Sequence, residues 1–148
     1  MNQRDQSGVT LLELLIVVVI ISTIAGISFP AMTASLAGLR LTSAAGSVSS
    51  FLTSALDRVD RRDLAAQIVV SPHDNVLAVY TAASGNKAER TFDMPAGITI
   101  EGDDVHRFLM LPGGSAPRMT IVLRNEKGAR RSIRIDPATG VPEVSRLP

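Results

Sequence analysis

Apolar residues are concentrated in the first third of the chain. From Val9 to Phe29 there are twenty-one residues, and Glu13 is the only charged one among them. A helix needs about 20 predominantly apolar residues to span a bilayer. The pattern therefore predicts a membrane-spanning helix over residues 9–30, preceded by a short polar leader at residues 1–8.

Beyond Pro30 the apolar residues recur at steps of three and four, which is the spacing of one helical face. This helical stripe consists of Leu41, Ala44, Ala45, Val48, Phe51, Leu52, Ala55, Leu56 and Val59. We expect an amphipathic helix over residues 31–62 that packs on another layer of the protein and ends in the charged cluster Asp57–Asp63. Because Pro30 lacks an N–H and crowds the preceding turn, a kink or a locally melted turn is expected near Gly26–Pro30.

Residues 63–148 alternate between apolar and polar positions in the manner of strands. Six segments are predicted as strands, at residues 67–70, 76–81, 88–94, 98–100, 119–123 and 132–135. Turn signals such as Ser84-Gly85-Asn86 separate them. Six or seven short strands favour an antiparallel arrangement with one face covered by the helical stripe. The predicted fold class is α+β, a long N-terminal helix packed on a small antiparallel β-sheet or β-sandwich.

Composition excludes several kinds of chemistry. The chain has no cysteine, so disulfides, thiolate metal sites and cysteine nucleophiles are ruled out. It has a net charge of +1, no Trp and one Tyr, which leaves few rings for base stacking. No Ser/His/Asp arrangement or phosphate loop stands out, so we expect neither enzymatic activity nor a cofactor.

Metal binding has weak candidates. Glu101, Asp103 and Asp104 offer oxygen ligands of the kind that calcium prefers. A polar loop between strands explains these three residues better, and no metal site is expected. His73 and His106 lack the spacing of metal ligands and are interpreted as loop or strand-end residues.

Glu13 is the strongest candidate for function. A carboxylate within a membrane span is costly unless a partner pairs with it, so it is a functional-site hypothesis by default. The alternative is a lone carboxylate near a helix end that reaches the lipid headgroups. The residues around Glu13 decide between the two.

The run Gly8-Val9-Thr10-Leu11-Leu12-Glu13 resembles the signal of type IV pilins and type II secretion pseudopilins. In that family a polar leader ends in glycine, and Pro30 falls where the family has its helix-breaking proline. The resemblance implies that prepilin peptidase cuts between Gly8 and Val9 and methylates the amine of Val9, where most members have phenylalanine. It also assigns Thr10, Glu13 and Pro30 to filament assembly.

Cleavage before Val9 would place a new amine four residues from Glu13, within one helical turn and at one membrane depth. Neither charge is stable alone in apolar surroundings, whereas a pair costs far less. An incoming subunit can place its amine against Glu13 of its neighbour. The spacing thus offers a register device for apolar helices that otherwise lack one.

The rest of the chain resembles the H-type (GspH/FimT-like) minor pseudopilins. The resemblance rests on the helix Leu41–Val59 followed by short strands, and on the ending Ile133–Val141, where a strand and a glycine turn precede a last short strand. It implies a minor pseudopilin of a type II secretion system, single-pass in the inner membrane with a periplasmic C-terminal domain. The implied partners are other major and minor pseudopilins, prepilin peptidase, the inner-membrane assembly platform, and membrane lipid before assembly.

Nucleic acid is kept as an alternative partner, because relatives in the same group bind DNA during uptake. Between residues 118 and 134, six basic residues accompany one acid, Glu126. The basic set consists of Arg118, Arg124, Lys127, Arg130, Arg131 and Arg134. Basic strands can follow a phosphate backbone. A solvated sheet face explains the set better, and alternation predicts that Arg124 and Arg134 face solvent.

Overall fold

The computed structural model describes residues 9–113 and 116–147, with the backbone alone for residues 29–34. Two compact units are formed by residues 1–36 and 37–148. The elements are α1 (Leu11–Arg62), β1 (Ala66–Ser71), β2 (Val76–Thr81), β3 (Arg90–Asp93), β4 (Ile98–Ile100), β5 (His106–Met110), β6 (Met119–Asn125), β7 (Arg130–Ile135) and β8 (Pro142–Arg146). The leader at residues 1–8 lies outside the described residues.

Helix α1 ends inside the predicted charged cluster. Arg61 and Arg62 occupy its last turn, where cations interact favourably with the helix dipole. Asp63 follows with a φ of 53°, and Leu64 N–H donates to the Val59 carbonyl at 3.3 Å. The left-handed residue and this hydrogen bond close the helix at its C-terminus.

The backbone keeps its helical conformation through Gly26–Pro30. Of the two expected outcomes, the locally melted turn was wrong, and the kink stays a prediction. A proline removes one donor from the helical ladder, and the hydrogen bonds of the neighbouring turns can hold the helix across that gap.

The second half of α1 packs as the stripe predicted. All nine stripe residues are at most 6% exposed, and Ala45, Val48 and Leu52 are fully buried. They share one hydrophobic core with the inner faces of the strands. The amphipathic period of the helix is therefore confirmed as the cause of its packing.

The strands form two antiparallel four-stranded sheets. Sheet 1 has the order β3-β2-β1-β5, and sheet 2 has the order β4-β6-β7-β8. The predicted α+β class is confirmed, and six of the eight strands match the alternating segments. The resemblance implied a last short strand, which is β8. Strand β5 was missed, because its apolar Leu109 is 52% exposed and breaks the alternation.

Asn75 joins the two sheets. Its Nδ2 donates to the Ile98 carbonyl at 2.8 Å, and its Oδ1 accepts from Ile100 N–H at 2.9 Å. The side-chain amide therefore binds the edge of β4 as a neighbouring strand would. Asn75 also has a φ of 58°, in the left-handed region that asparagine tolerates better than most residues.

Glu89 connects the end of α1 to sheet 1. Its carboxylate accepts hydrogen bonds from Thr81 Oγ1 at 2.9 Å, Arg62 at 3.2 Å and Arg58 at 3.4 Å. The Thr81 hydroxyl, with the nearby guanidinium groups, holds the pKa of Glu89 below its ordinary value. Because the pKa of Glu89 is lowered in the folded state, the ionised carboxylate stabilises the fold at neutral pH. This stabilisation is lost as the pH falls through the folded-state pKa.

Substituting Asn75 with glycine should destabilise the domain by about 1–3 kcal/mol, because two buried backbone groups of β4 lose their partner. Glycine accepts the positive φ, so the substitution isolates the hydrogen bonds. Chemical denaturation of the protein in detergent micelles, followed by circular dichroism, measures the change. The exposed turn variant Asn86→Gly is the control, and an equal loss in both variants would contradict the role of Asn75.

Candidate functional site

The first part of α1 is an exposed apolar surface. Its large apolar side chains from Leu11 to Ile27 are between 48% and 85% exposed. Of the described helical residues, Leu11–Ser28 forms a span long and apolar enough to cross a membrane, by length and composition alone. So large an apolar surface requires lipid or other proteins to cover it.

Thr10 caps the start of α1. Glu13 N–H donates to Thr10 Oγ1 at 3.3 Å, and Leu14 N–H donates to the Thr10 carbonyl at 3.2 Å. Threonine at this position, followed three residues later by glutamate, is the capping-box pattern. The Thr-x-x-Glu spacing is thus a further signal in the sequence, beside the charge of Glu13 and the motif around it.

The cap determines where Val9 and Glu13 lie. Val9 precedes the cap outside the helix and is 71% exposed, whereas Glu13 lies within the first turn and is also exposed. The backbone N–H of Val9, which would become the new amine, is therefore not committed to the helical ladder. Gly8 lies outside the described residues, and at Pro30 the backbone alone is described.

Three of the arginines lie together on the outer face of sheet 2. Arg124 of β6 lies directly opposite Arg130 of β7. Arg134 lies on the same face of β7, with Ser132 between it and Arg130. Arg124 and Arg134 are exposed, as alternation predicted. Like charges directly opposite across two strands are destabilising, so this pair has a cost unless an anion offsets it.

Acidic residues on the same face offset part of that charge. Arg130 forms an ion pair with Glu101 at 3.4 Å, and Glu143 of β8 lies opposite Arg134. Glu101 belongs to the loop between β4 and β5, together with Asp103 and Asp104. The described residues contain no group of three or more His, Asp or Glu side chains able to hold a metal ion.

Arg131 and Lys127 do not join this face. Arg131 is half-buried on the opposite face of β7, where it pairs in register with Leu123 and Arg146. Lys127 lies in the turn between β6 and β7. The basic residues are close together in the sequence, but the alternation of β7 places Arg131 on the face opposite Arg130 and Arg134.

Asn125 positions the hairpin that joins β6 to β7. It is 6% exposed, and its Oδ1 accepts from Ala129 N–H at 2.9 Å and Lys127 N–H at 3.1 Å. Its Nδ2 donates to the Ala37 carbonyl of α1 at 3.2 Å. Asn125 was not among the predicted site residues, although asparagine before a glycine turn commonly bonds its own backbone.

Replacing Thr10 with valine should remove the cap while preserving side-chain shape. An N-cap contributes typically about 1 kcal/mol, so amide exchange of Glu13 should accelerate about fivefold. Hydrogen exchange of the protein in micelles, read by NMR, measures this. Thr10→Ser keeps the hydroxyl and serves as the control; equal exchange in both variants would refute the cap.

Comparisons with known proteins match both parts of this description. The family model described as "Prokaryotic N-terminal methylation motif" matches residues 3–29. Two crystal forms of the type IV minor pilin FimU from Pseudomonas aeruginosa share the fold, each with a TM-score of 0.56. They are 19% and 18% identical, cover 73% of this chain, and are themselves covered over 88% and 93% of their length.

No curated protein sequence matches the chain. The likeness to FimU, at this level of identity, concerns the fold. The methylation motif concerns the N-terminal segment, which contains Val9, Thr10 and Glu13. The chain therefore has a prokaryotic N-terminal methylation motif, followed by a domain that shares the fold of the type IV minor pilin FimU.

Proposed function

We propose that this protein is a minor pseudopilin, a structural subunit of the type II secretion pseudopilus that helps export folded proteins across the outer membrane. The observation that carries the proposal is Glu13, which lies in the first turn of a helix whose large apolar side chains from Leu11 to Ile27 are 48–85% exposed. Once lipid or other helices cover that surface, a carboxylate within it requires a cationic partner. The amine of a processed neighbouring subunit has the required charge at the required depth.

The proposal divides the chain by function. Residues 1–8 are a leader that prepilin peptidase removes between Gly8 and Val9, followed by methylation of Val9. Residues 9–30 cross the inner membrane and later form the filament core. Residues 31–62 continue the helix into the globular domain, and residues 63–148 form a periplasmic β domain.

The partners follow from these roles. Lipid covers the exposed apolar helix before assembly, and the helices of other major and minor pseudopilins cover it afterwards. The inner-membrane assembly platform inserts the subunit into the filament. The role is structural, with no reaction catalysed and no cofactor bound. The H-type (GspH/FimT-like) group suits the order of a helix, short strands and a last strand after a glycine turn.

Two variants test the proposal in cells. Gly8→Ala should leave the precursor uncut, because the peptidase requires an unhindered scissile bond, and intact mass spectrometry should find the leader and no added methyl group.

Glu13→Val should still insert and be cleaved yet fail to enter filaments, because the incoming amine has no partner. Gly26→Ala is the control, since open space surrounds its added Cβ. Cleavage of Gly8→Ala or normal assembly of Glu13→Val would overturn the proposal.

A second candidate function is that of a minor pilin that binds DNA during natural transformation. The observation that favours it is the cluster of Arg124, Arg130 and Arg134 on one outer face. The acidic neighbours Glu101 and Glu143 weaken it, because they reduce the field that a phosphate backbone would meet.

If DNA binds this face, Arg124→Ala should weaken binding and reduce the slope of log affinity against log salt by about 0.7–0.9 per lost phosphate contact. Arg131→Ala should have no such effect, because Arg131 lies on the opposite face. Fluorescence polarisation with the purified chain at low salt measures both. Absence of binding by the unmodified chain would remove this candidate.

A further inference from the structure

The edge strand β5 of sheet 1 and its flanks expose large apolar side chains. β3 and β5 are the two edges of this sheet. Along β5 and its flanks, Val105, Leu109 and Leu111 are 44%, 52% and 43% exposed. Natural sheets usually protect an edge with charges, prolines or a covering segment, because an exposed apolar edge is a template for another strand.

The free backbone groups of each edge follow from the alternation of the ladder. Met94 N–H donates to the Asn75 carbonyl at 3.1 Å, so the backbone N–H of position 94 is directed toward the segment that begins β2. Hydrogen-bonded and non-hydrogen-bonded pairs alternate between antiparallel strands. Thr91 and Asp93 therefore direct their N–H and carbonyl groups away from β2.

The same alternation extends across β1 to the other edge. In β1, the residues whose backbone N–H and carbonyl groups point toward β5 are Ala66, Ile68 and Val70. They pair with Met110, Phe108 and His106. Arg107 and Leu109 lie between these paired positions. Their backbone groups therefore point outward from β5.

The two free edges are complementary to each other. In an antiparallel pairing that sets Arg107 opposite Asp93, Leu109 falls opposite Thr91. All four residues are exposed, and all four lie on the outer face of sheet 1. Backbone donors meet acceptors and a cation meets an anion in one register, and opposite charges across two strands are favourable.

Pairing of like edges lacks this complementarity. β5 against β5 sets Arg107 opposite Leu109 or opposite a second Arg107, and β3 against β3 leaves each Asp93 without a cation. A groove of about 590 Å³ lies against β5 and reaches Gln67 of β1. Its other lining residues are Arg107, Phe108, Leu109, Leu111, Ala116 and Pro117.

We propose that β5 of one copy of this chain pairs with β3 of a second copy, with Arg107 opposite Asp93, so that sheet 1 continues from subunit to subunit. The contact joins two different surfaces, so each subunit keeps one free edge and the assembly can extend. This interface belongs to the β-strand domain and does not depend on cleavage at Gly8 or on Glu13. Its failure would therefore leave the proposed function intact.

Disulfide trapping tests the register directly, because the chain has no native cysteine. Hydrogen-bonded antiparallel partners have Cα atoms about 5.5 Å apart, which suits a disulfide. Full-length Thr91→Cys/Leu109→Cys protein, oxidised in detergent micelles, should form a ladder of linked subunits on a denaturing gel. Thr91→Cys/Arg124→Cys is the matched control, because Arg124 is equally exposed but lies on sheet 2.

Charge reversal in the trapping variant tests the ion pair. Asp93→Arg or Arg107→Asp alone should lower the ladder yield about fivefold, the size expected for an exposed ion pair of about 1 kcal/mol. The double exchange should restore it, which excludes misfolding as the cause. A ladder no stronger than the control would overturn the proposal, as would dimers formed by Leu109→Cys alone or a double exchange that fails to restore the yield.

Discussion

Burial of one face of the second half of α1 is the interaction on which the globular domain depends. The stripe from Leu41 to Val59 supplies the covering layer for the inner faces of both sheets. Ala44, Ala45, Ala55, Phe51 and Leu52 of this stripe are all buried in the same core as the strands. The apolar inner faces of the strands form one continuous core together with this stripe.

Polar contacts then fix what apolar burial leaves free. Asn75 completes the edge of β4, Asn125 holds the hairpin between β6 and β7, and Glu89 binds the last turns of α1 to sheet 1. Arg90 lies over the ring of Phe51 at 5.2 Å, and Phe92 packs against the same ring at 5.6 Å. Hydrophobic burial is non-directional, so these contacts determine register and position.

The first part of α1 has the opposite character, because it is apolar on all sides and its described side chains from Leu11 to Ser28 are exposed. Lipid or other helices must cover this apolar surface. The Thr10 cap determines where this surface begins. The helix starts after Val9, and Glu13 lies in its first turn. A charge at that position is costly unless the surrounding assembly pairs it.

By itself, the sequence determined the features that depend on local periodicity. The three-and-four spacing of the stripe predicted the buried face of α1, and alternation located β1, β2, β4, β6 and β7 and the exposure of Arg124 and Arg134. The tertiary structure decided what depends on residues distant in the chain: the division into two sheets, the strand status of β5, the separation of Arg131 from the basic face, and the bridge from Asn75 to β4. Periodicity reports which face of an element is buried, but the pairing of strands depends on neighbours far away in sequence, and no local pattern encodes those neighbours.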